Sequence, residues 1–368
     1  MSATKNAHLP VGVLFLIILL CGCATPQTQK IFQAIPENLP AQIELTDVPF
    51  YPQETYQCGP AALATALNFS GARITPSDLI AQVYLPAREG SLQVEMLAAT
   101  RRNGFLAYEI APKLEDLLVE VAAGTPVVVL QNLGLSWLPK WHYAVVVGYD
   151  LPRREIILRS GLTQRQVLPF TTFEHTWARS AHWAMLVLPA GSVPRTATEA
   201  GYIKAALALE KNVTSEEVID VYQAALKKWP ENLTAHIGLG NAFYAQNDKA
   251  LAENIFRQAT LKHPDSAIAF NNLAQTLFDD RRYVEAHSAA TQAVSLAQAN
   301  GGEALSSAQQ TLKQINEKIL RADLCQSTLS GTVSISRKGR MRANKRGQSI
   351  SKSRGTPGKT SDNAGCAE

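Results

Sequence analysis

The residue with the most chemistry to offer is Cys58, in the run PFYPQETYQCGPA that spans residues 49 to 61. Gly59-Pro60 opens AALATALNFSG, which predicts a helix that starts at the cysteine and stops at Gly71. At a helix N-terminus the macrodipole and the unpaired N–H groups favour negative charge. Thiolate is the nucleophilic form of cysteine, so the expectation is a reactive thiol of lowered pKa. Gln53, five residues upstream, carries an amide that can reach back beside the sulfur, which is where a donor to a developing oxyanion belongs. A nucleophilic thiol also needs a base. The histidines past the N-terminal segment are His142, His175, His182, His236, His263 and His287. His142 opens HYAVVVGYD, a strongly β segment preceded by Trp137 and Trp141. A histidine at the start of a buried strand is held rigidly, either as a structural group or as a base aimed into a cleft. Residue types alone leave both readings open.

Those side chains need elements to position them. Within residues 46–190, helix signals come first: Ser77-Asp78, Gly90-Ser91 before SLQVEMLAATRRNG, and LEDLLVEVAAG. Strand signals follow at Thr125–Leu130, His142–Tyr149, Glu155–Leu158 and His182–Leu188. Helices followed by strands give an α+β pattern rather than alternating parallel units. Residues 191–199 read as a linker. Beyond it Pro230 and Pro264, Ala225 and Ala259, Leu239 and Leu273, and Tyr222 and Phe256 are all 34 apart. That is the period of the tetratricopeptide helix pair, so residues 200–322 are expected to hold about three such repeats, the central one from Leu233 to Ser266. Residues 23–45, rich in proline and without periodicity, are expected to be a tether. Residues 323–368, rich in Ser, Gly, Lys and Arg, are expected to be disordered.

The 368-residue chain has a formal net charge of +4, and this sits in one place. From Val333 to Glu368 there are nine Lys/Arg and two acids, so this tail carries +7 and the rest of the chain −3. A nucleic-acid-binding body is thereby excluded as an expectation, and RKGRMRANKRG lacks the interleaved aromatics that would suggest otherwise. No P-loop, cofactor motif or familiar zinc spacing occurs; His175, His182 and Glu174 read as structural. At the N-terminus, Lys5 precedes the apolar run Leu9–Gly22, too short to span a bilayer, so residues 1–22 read as a signal peptide. Its end, Leu20-Cys21-Gly22-Cys23, resembles the bacterial lipobox, which implies acylation at Cys23. Ala24 in place of aspartate implies sorting to the periplasmic face of the outer membrane. Of five cysteines, Cys21, Cys23, Cys58, Cys325 and Cys366, none pairs in a framework-like spacing.

Gln53, Cys58-Gly59-Pro60-Ala61 and the strand His142–Asp150 together resemble the bacteriocin-processing, double-glycine-leader peptidases, a family of papain-like cysteine peptidases. The resemblance spans residues 46–190. It implies an α+β papain-like cysteine peptidase domain followed by an all-α tetratricopeptide solenoid. By it Cys58 is the nucleophile, His142 the general base and acid, and Gln53 the oxyanion-hole residue. Family members usually end the next strand with Asp-Pro, the aspartate orienting the histidine. Here the strand reads Ile156-Ile157-Leu158-Arg159-Ser160-Gly161, so Ser160 falls at or beside that place, with Asp150 as the alternative orienter. A hydroxyl can accept the imidazole N–H but carries no charge to stabilise imidazolium. The expected function is hydrolysis of peptide bonds, after Gly-Gly-like sites by the resemblance, with the repeats docking a protein partner or peptide. The alternatives are an inactive peptide-binding envelope adaptor and a Cys-His acyltransferase.

Overall fold

The computed structural model describes residues 25–53 and 57–339. The signal peptide expected over residues 1–22, the lipobox-like run that ends at Cys23, and residues 340–368 of the tail lie outside them. Among the described residues no helix is long and apolar enough to cross a membrane.

Residues 25–45 are folded, not a free tether. Helix α1 (Pro26–Gln33) docks through its N-terminus, where the buried carboxylate of Glu174 accepts the N–H groups of Gln27 at 2.9 Å and Thr28 at 2.6 Å. An anion at a helix N-terminus satisfies orphan donors and opposes the macrodipole. Strand β1 (Gln42–Glu44) follows and joins a sheet. Composition hides both elements because the partners that stabilise them lie more than 100 residues away.

Next come α2 (Cys58–Phe69) and α3 (Pro76–Val83), the latter opened by a Thr75/Asp78 capping box. A small ladder of β2 (Tyr84–Leu85) and β3 (Gly90–Ser91) leads to α4 (Gln93–Arg102), β4 (Leu106–Glu109) and α5 (Leu114–Ala122). The strand-rich part is β5 (Val127–Asn132), β6 (Trp141–Asp150), β7 (Glu155–Ser160), β8 (Thr163–Pro169), α6 (Phe170–Ala178) and β9 (Ala184–Leu188).

The main sheet is antiparallel, in the order β4-β9-β5-β6-β7-β8 with β1 also on β6. Along one edge of β6, β5 pairs its first part (Asn132↔Trp141 to Val127↔Val146) and β1 its last (Glu44↔Gly148 to Gln42↔Asp150). Helix α2 is buried from Gly59 to Leu67, as a helix apolar on all sides must be. Leu63 and Leu67 share a core with Val128, Val145, Val147, Met185 and Val187 of the sheet. Each such side chain contributes roughly 1.5–3 kcal/mol on burial, which clamps the Cys58 end of α2 against β6.

The helical part comprises α7 (Glu199–Leu209), α8 (Ser215–Lys228), α9 (Leu233–Ala245), α10 (Lys249–Lys262), α11 (Ala267–Asp279), α12 (Tyr283–Ala299) and α13 (Leu305–Gly339). The side chains of Asn232, Asp248 and Ser266 accept N–H groups at the starts of α9, α10 and α11. The pairs spaced by 34 are buried at equivalent places: Tyr222 and Phe256, Ala225 and Ala259, Leu239 and Leu273.

By packing, the chain divides at Gln246/Asn247 rather than at residues 191–199. In the first unit the expected linker is pinned. The Glu120 carboxylate accepts the N–H and hydroxyl of Thr196 at 2.6 and 2.7 Å, the Tyr108 hydroxyl accepts the Thr198 N–H at 3.1 Å, and Lys228 donates to the carbonyl of Pro194. In the second unit, Phe256, Leu273, Leu277 and Ala293 form the interior. There α13 runs to Gly339, past residue 322, where composition predicts that order ends. Extending an existing helix needs no new nucleus, so polar sequence can follow a packed one.

Candidate functional site

Cys58 is the first residue of α2 and half-buried. The preceding Gln57 supplies no side-chain cap, which leaves first-turn amides to the sulfur. The thiol is reached by the backbone N–H groups of Tyr143, Gly59 and Cys58 itself, all of which lower its pKa. Burial is the larger influence and pushes the thiol above its ordinary value of 9.0. This corrects the expectation of a lowered pKa. The helix terminus acts as predicted, but β6 covers the sulfur and removes the water that would stabilise thiolate.

The Tyr143 contact sets the strand bearing His142 directly against the cysteine. His142 Nε2 is hydrogen-bonded to Ser160 Oγ at 2.8 Å, across the β6–β7 pairing. Burial first, and the Lys140 charge second, hold His142 down at about 4. Both groups are therefore neutral near pH 7. The neighbouring Tyr143 phenol is pushed up by burial and, less, by the Cys58 charge; it donates to the Ser91 carbonyl at 3.3 Å.

Gln53 lines the cleft at Cys58 together with Tyr51, Thr65, Ser160 and Gly161. Its backbone N–H donates to the Gly161 carbonyl at 3.3 Å, which ties the glutamine to the turn after Ser160. Cys58, His142, Gln53 and Ser160 are thus brought together from four places in the chain. Asp150 is not among them. It sits at the far end of β6, eight residues from His142 and so about 26 Å away at ~3.3 Å per residue. Its carboxylate is engaged with the Arg153 N–H at 2.9 Å. The alternative orienter is therefore ruled out by the length of the strand.

Two features of the site, the clamp made by Arg159 and the close approach of Gly59 to Ser91, were not foreseen from the sequence. Arg159, buried in β7, donates to the carbonyls of Val48 at 3.3 Å, Thr46 at 3.5 Å and Gln164 at 2.8 Å, and so clamps the segment that leads to Gln53. Its signal was present, a charge directly after the apolar run Ile156-Ile157-Leu158 of its strand. The second is the approach of Gly59, at the start of α2, to Ser91 of β3. A Cβ at Gly59 would fall 2.2 Å from Ser91 Oγ, so only glycine lets α2 begin against β3. Glu174 caps α1, and His182 packs edge-on to Trp177 at 4.8 Å. Among the described residues no group of three or more His, Cys, Asp or Glu could hold a metal ion.

An antiparallel sheet with a cysteine-bearing helix on its face, followed by paired helices, defines an α+β domain ahead of a repeat region. Residues 45–185 match the model of the "Peptidase_C39 like family", and residues 216–260 and 239–304 match the tetratricopeptide repeat. The chain thus carries a C39-like peptidase domain followed by tetratricopeptide repeats.

No curated protein matches the chain. Among solved structures, it is similar to a candidate C39-like peptidase from Bacillus anthracis at 18% identity and a TM-score of 0.35, over 40% of this chain and 98% of that one. It is also similar to the TPR2B domain of yeast Sti1, solved in a pHsp70 complex, at 16% identity and a TM-score of 0.30, over 32% of this chain and 98% of that one. The type III secretion translocator chaperone SycD of Yersinia enterocolitica aligns at 22% identity and a TM-score of 0.31, over 33% of this chain and 93% of that one.

Proposed function

We propose that the protein is a cysteine peptidase of the bacterial envelope, anchored by acylation at Cys23 and using its repeats to dock a peptide or protein partner. The hydrogen bond between His142 Nε2 and Ser160 Oγ at 2.8 Å, on a strand whose Tyr143 N–H reaches the Cys58 thiol, is the observation that carries this reading. With Nε2–H donating to Ser160, Nδ1 is the nitrogen left to take the thiol proton. The resting pair is neutral, so proton transfer accompanies attack rather than preceding it. The sulfur of Cys58 adds to the peptide carbonyl as its proton passes to His142. The Gln53 amide and the Cys58 N–H stabilise the oxyanion. His142 then returns the proton to the leaving amine, and water hydrolyses the thioester. Gly-Gly-like sites are the cleavage class we assign, on the motif resemblance.

Incubation of the purified chain with peptides that contain Gly-Gly should yield new termini by mass spectrometry, and Cys58→Ala should yield none. Binding of the same peptides without cleavage would favour the adaptor, to which the missing carboxylate on His142 lends weight. A product amide transferred to an added amine would favour the acyltransferase. For the anchor, Cys23→Ser should move the protein out of the membrane fraction; unchanged fractionation would contradict acylation.

A further inference from the structure

Among the described residues of the first unit, the connection from β5 to β6 gathers a cluster of exposed large apolar side chains. Trp137 is 78% exposed, Leu138 64%, Leu135 52% and Trp141 51%. The segment is nevertheless ordered as a tight hairpin. Leu135 and Leu138 exchange backbone hydrogen bonds at 3.1 Å, and the Asn132 carboxamide accepts the N–H groups of Gly134 at 2.9 Å and Lys140 at 2.8 Å. A Cβ at Gly134 would fall 2.4 Å from the Leu138 carbonyl oxygen, so the turn is built around a glycine. A rigid tip that presents two tryptophans and two leucines to solvent needs an occupant.

The start of the folded chain indicates which one. Thr25 is buried, and the next residues fix α1 to Glu174 on α6. The base of the hairpin is fixed to the same element: Arg179, which ends α6, donates to the carbonyls of Gly134 at 2.7 Å and Asn132 at 3.2 Å. Glu174 and Arg179 are five residues apart, about 7.5 Å of helix rise. Cys23 is two residues before Thr25, a leash of about 7 Å even when extended. An acyl group on Cys23 would therefore press this end of the domain onto a lipid surface. Tryptophan, with its apolar body and polar N–H, suits the bilayer interface, and Lys140 suits anionic headgroups.

We infer that the hairpin of residues 133–141 is a membrane-interface anchor that inserts Trp137 and Trp141 into the bilayer beside the acylated N-terminus. The inference rests on the lipoprotein reading above. It sets His142, the residue after Trp141, at the lipid surface, so that the cleft takes its substrate there.

The test uses the full chain in vesicles of phosphatidylethanolamine and phosphatidylglycerol, with brominated or plain acyl chains, and reads tryptophan fluorescence. Quenching by the brominated lipid is expected for the wild type. It should be lost in Trp137→Phe/Trp141→Phe, which retains Trp177, Trp183 and Trp229, with an unchanged far-ultraviolet spectrum as the folding control. Equal quenching in the variant, or none in the wild type, would overturn the proposal. So would protection of these tryptophans by a peptide substrate and not by lipid. The acyl anchor is scored separately by intact mass. If the chain carries no acyl group, the lipoprotein reading fails, and the same quenching difference, read on chain added to preformed vesicles, still decides the hairpin.

Discussion

The cysteine-bearing unit and the repeat unit from Asn247 onward are stabilised in opposite ways. In the first, Cys58, Gln53, His142 and Ser160 converge from places up to 107 residues apart in sequence, held by sheet pairing and by the buried Arg159. In the second, the partners are near neighbours along the chain. Phe256 of α10 and Leu273 of α11 belong to successive elements, and Arg282 joins Glu253 at 2.6 Å and Glu285 at 2.6 Å within about one repeat. Burial alone would raise Glu253, but hydrogen bonds from Arg257 and Arg282 outweigh it and hold the carboxyl below its ordinary value. Long-range assembly builds a water-poor site, whereas local assembly builds a surface whose charges are paired with one another at the edge of solvent.

The largest expected effect separates the two units by activity. Cys58→Ala should reduce peptide turnover by about 10⁴ or more in kcat while leaving the repeat unit's thermal transition unmoved. Phe256→Ala is the converse. It should destabilise the repeat unit by about 3–5 kcal/mol in urea melts yet leave kcat on short peptides unchanged. A fall in kcat there would show that the units are not energetically independent. Gln53→Ala should cost about 10²–10³ in kcat with little change in KM, as loss of an oxyanion donor does.

Next is pH. His142 is held at about 4 when folded and returns to 6.5 when unfolded, so between these values the unfolded state binds the extra proton. Stability conferred by the neutral imidazole is present above pH 6.5 and is lost as pH falls to about 4, at most about 3 kcal/mol. The raised Cys58 thiol acts at the other side: stability is full below pH 9.0 and declines above it. Urea midpoints across pH should show this plateau, and Cys58→Ala should move its alkaline edge upward, from the thiol range to that of the buried tyrosines. The smallest effect is at Ser160. Its hydrogen bond is neutral, so Ser160→Ala should lower kcat only about 3- to 10-fold, and Ser160→Asp should raise the His142 pKa.

How much was legible follows from the same contrast. The 34-residue spacing exposes the repeats because each partner lies one period away. The α2 start is legible from Gly59-Pro60, and β6 from its run of valines. By contrast, α1 and β1 depend on Glu174 and β6, which no local pattern reveals. Ser160 could be placed beside His142 only on the family pattern, and excluding Asp150 required the length of β6. The thiol's raised pKa was hidden for the same reason: the helix terminus is local, but the strand that desolvates it is not.

The central claim is that His142 serves Cys58 as a base within a neutral pair. Iodoacetamide labelling of Cys58, followed by mass spectrometry from pH 4 to 10, tests it most directly. The wild type should react at pH 6–8 faster than His142→Ala, whose labelling should rise only above the ordinary thiol range near pH 9.0. Superimposable profiles for the two proteins would contradict it.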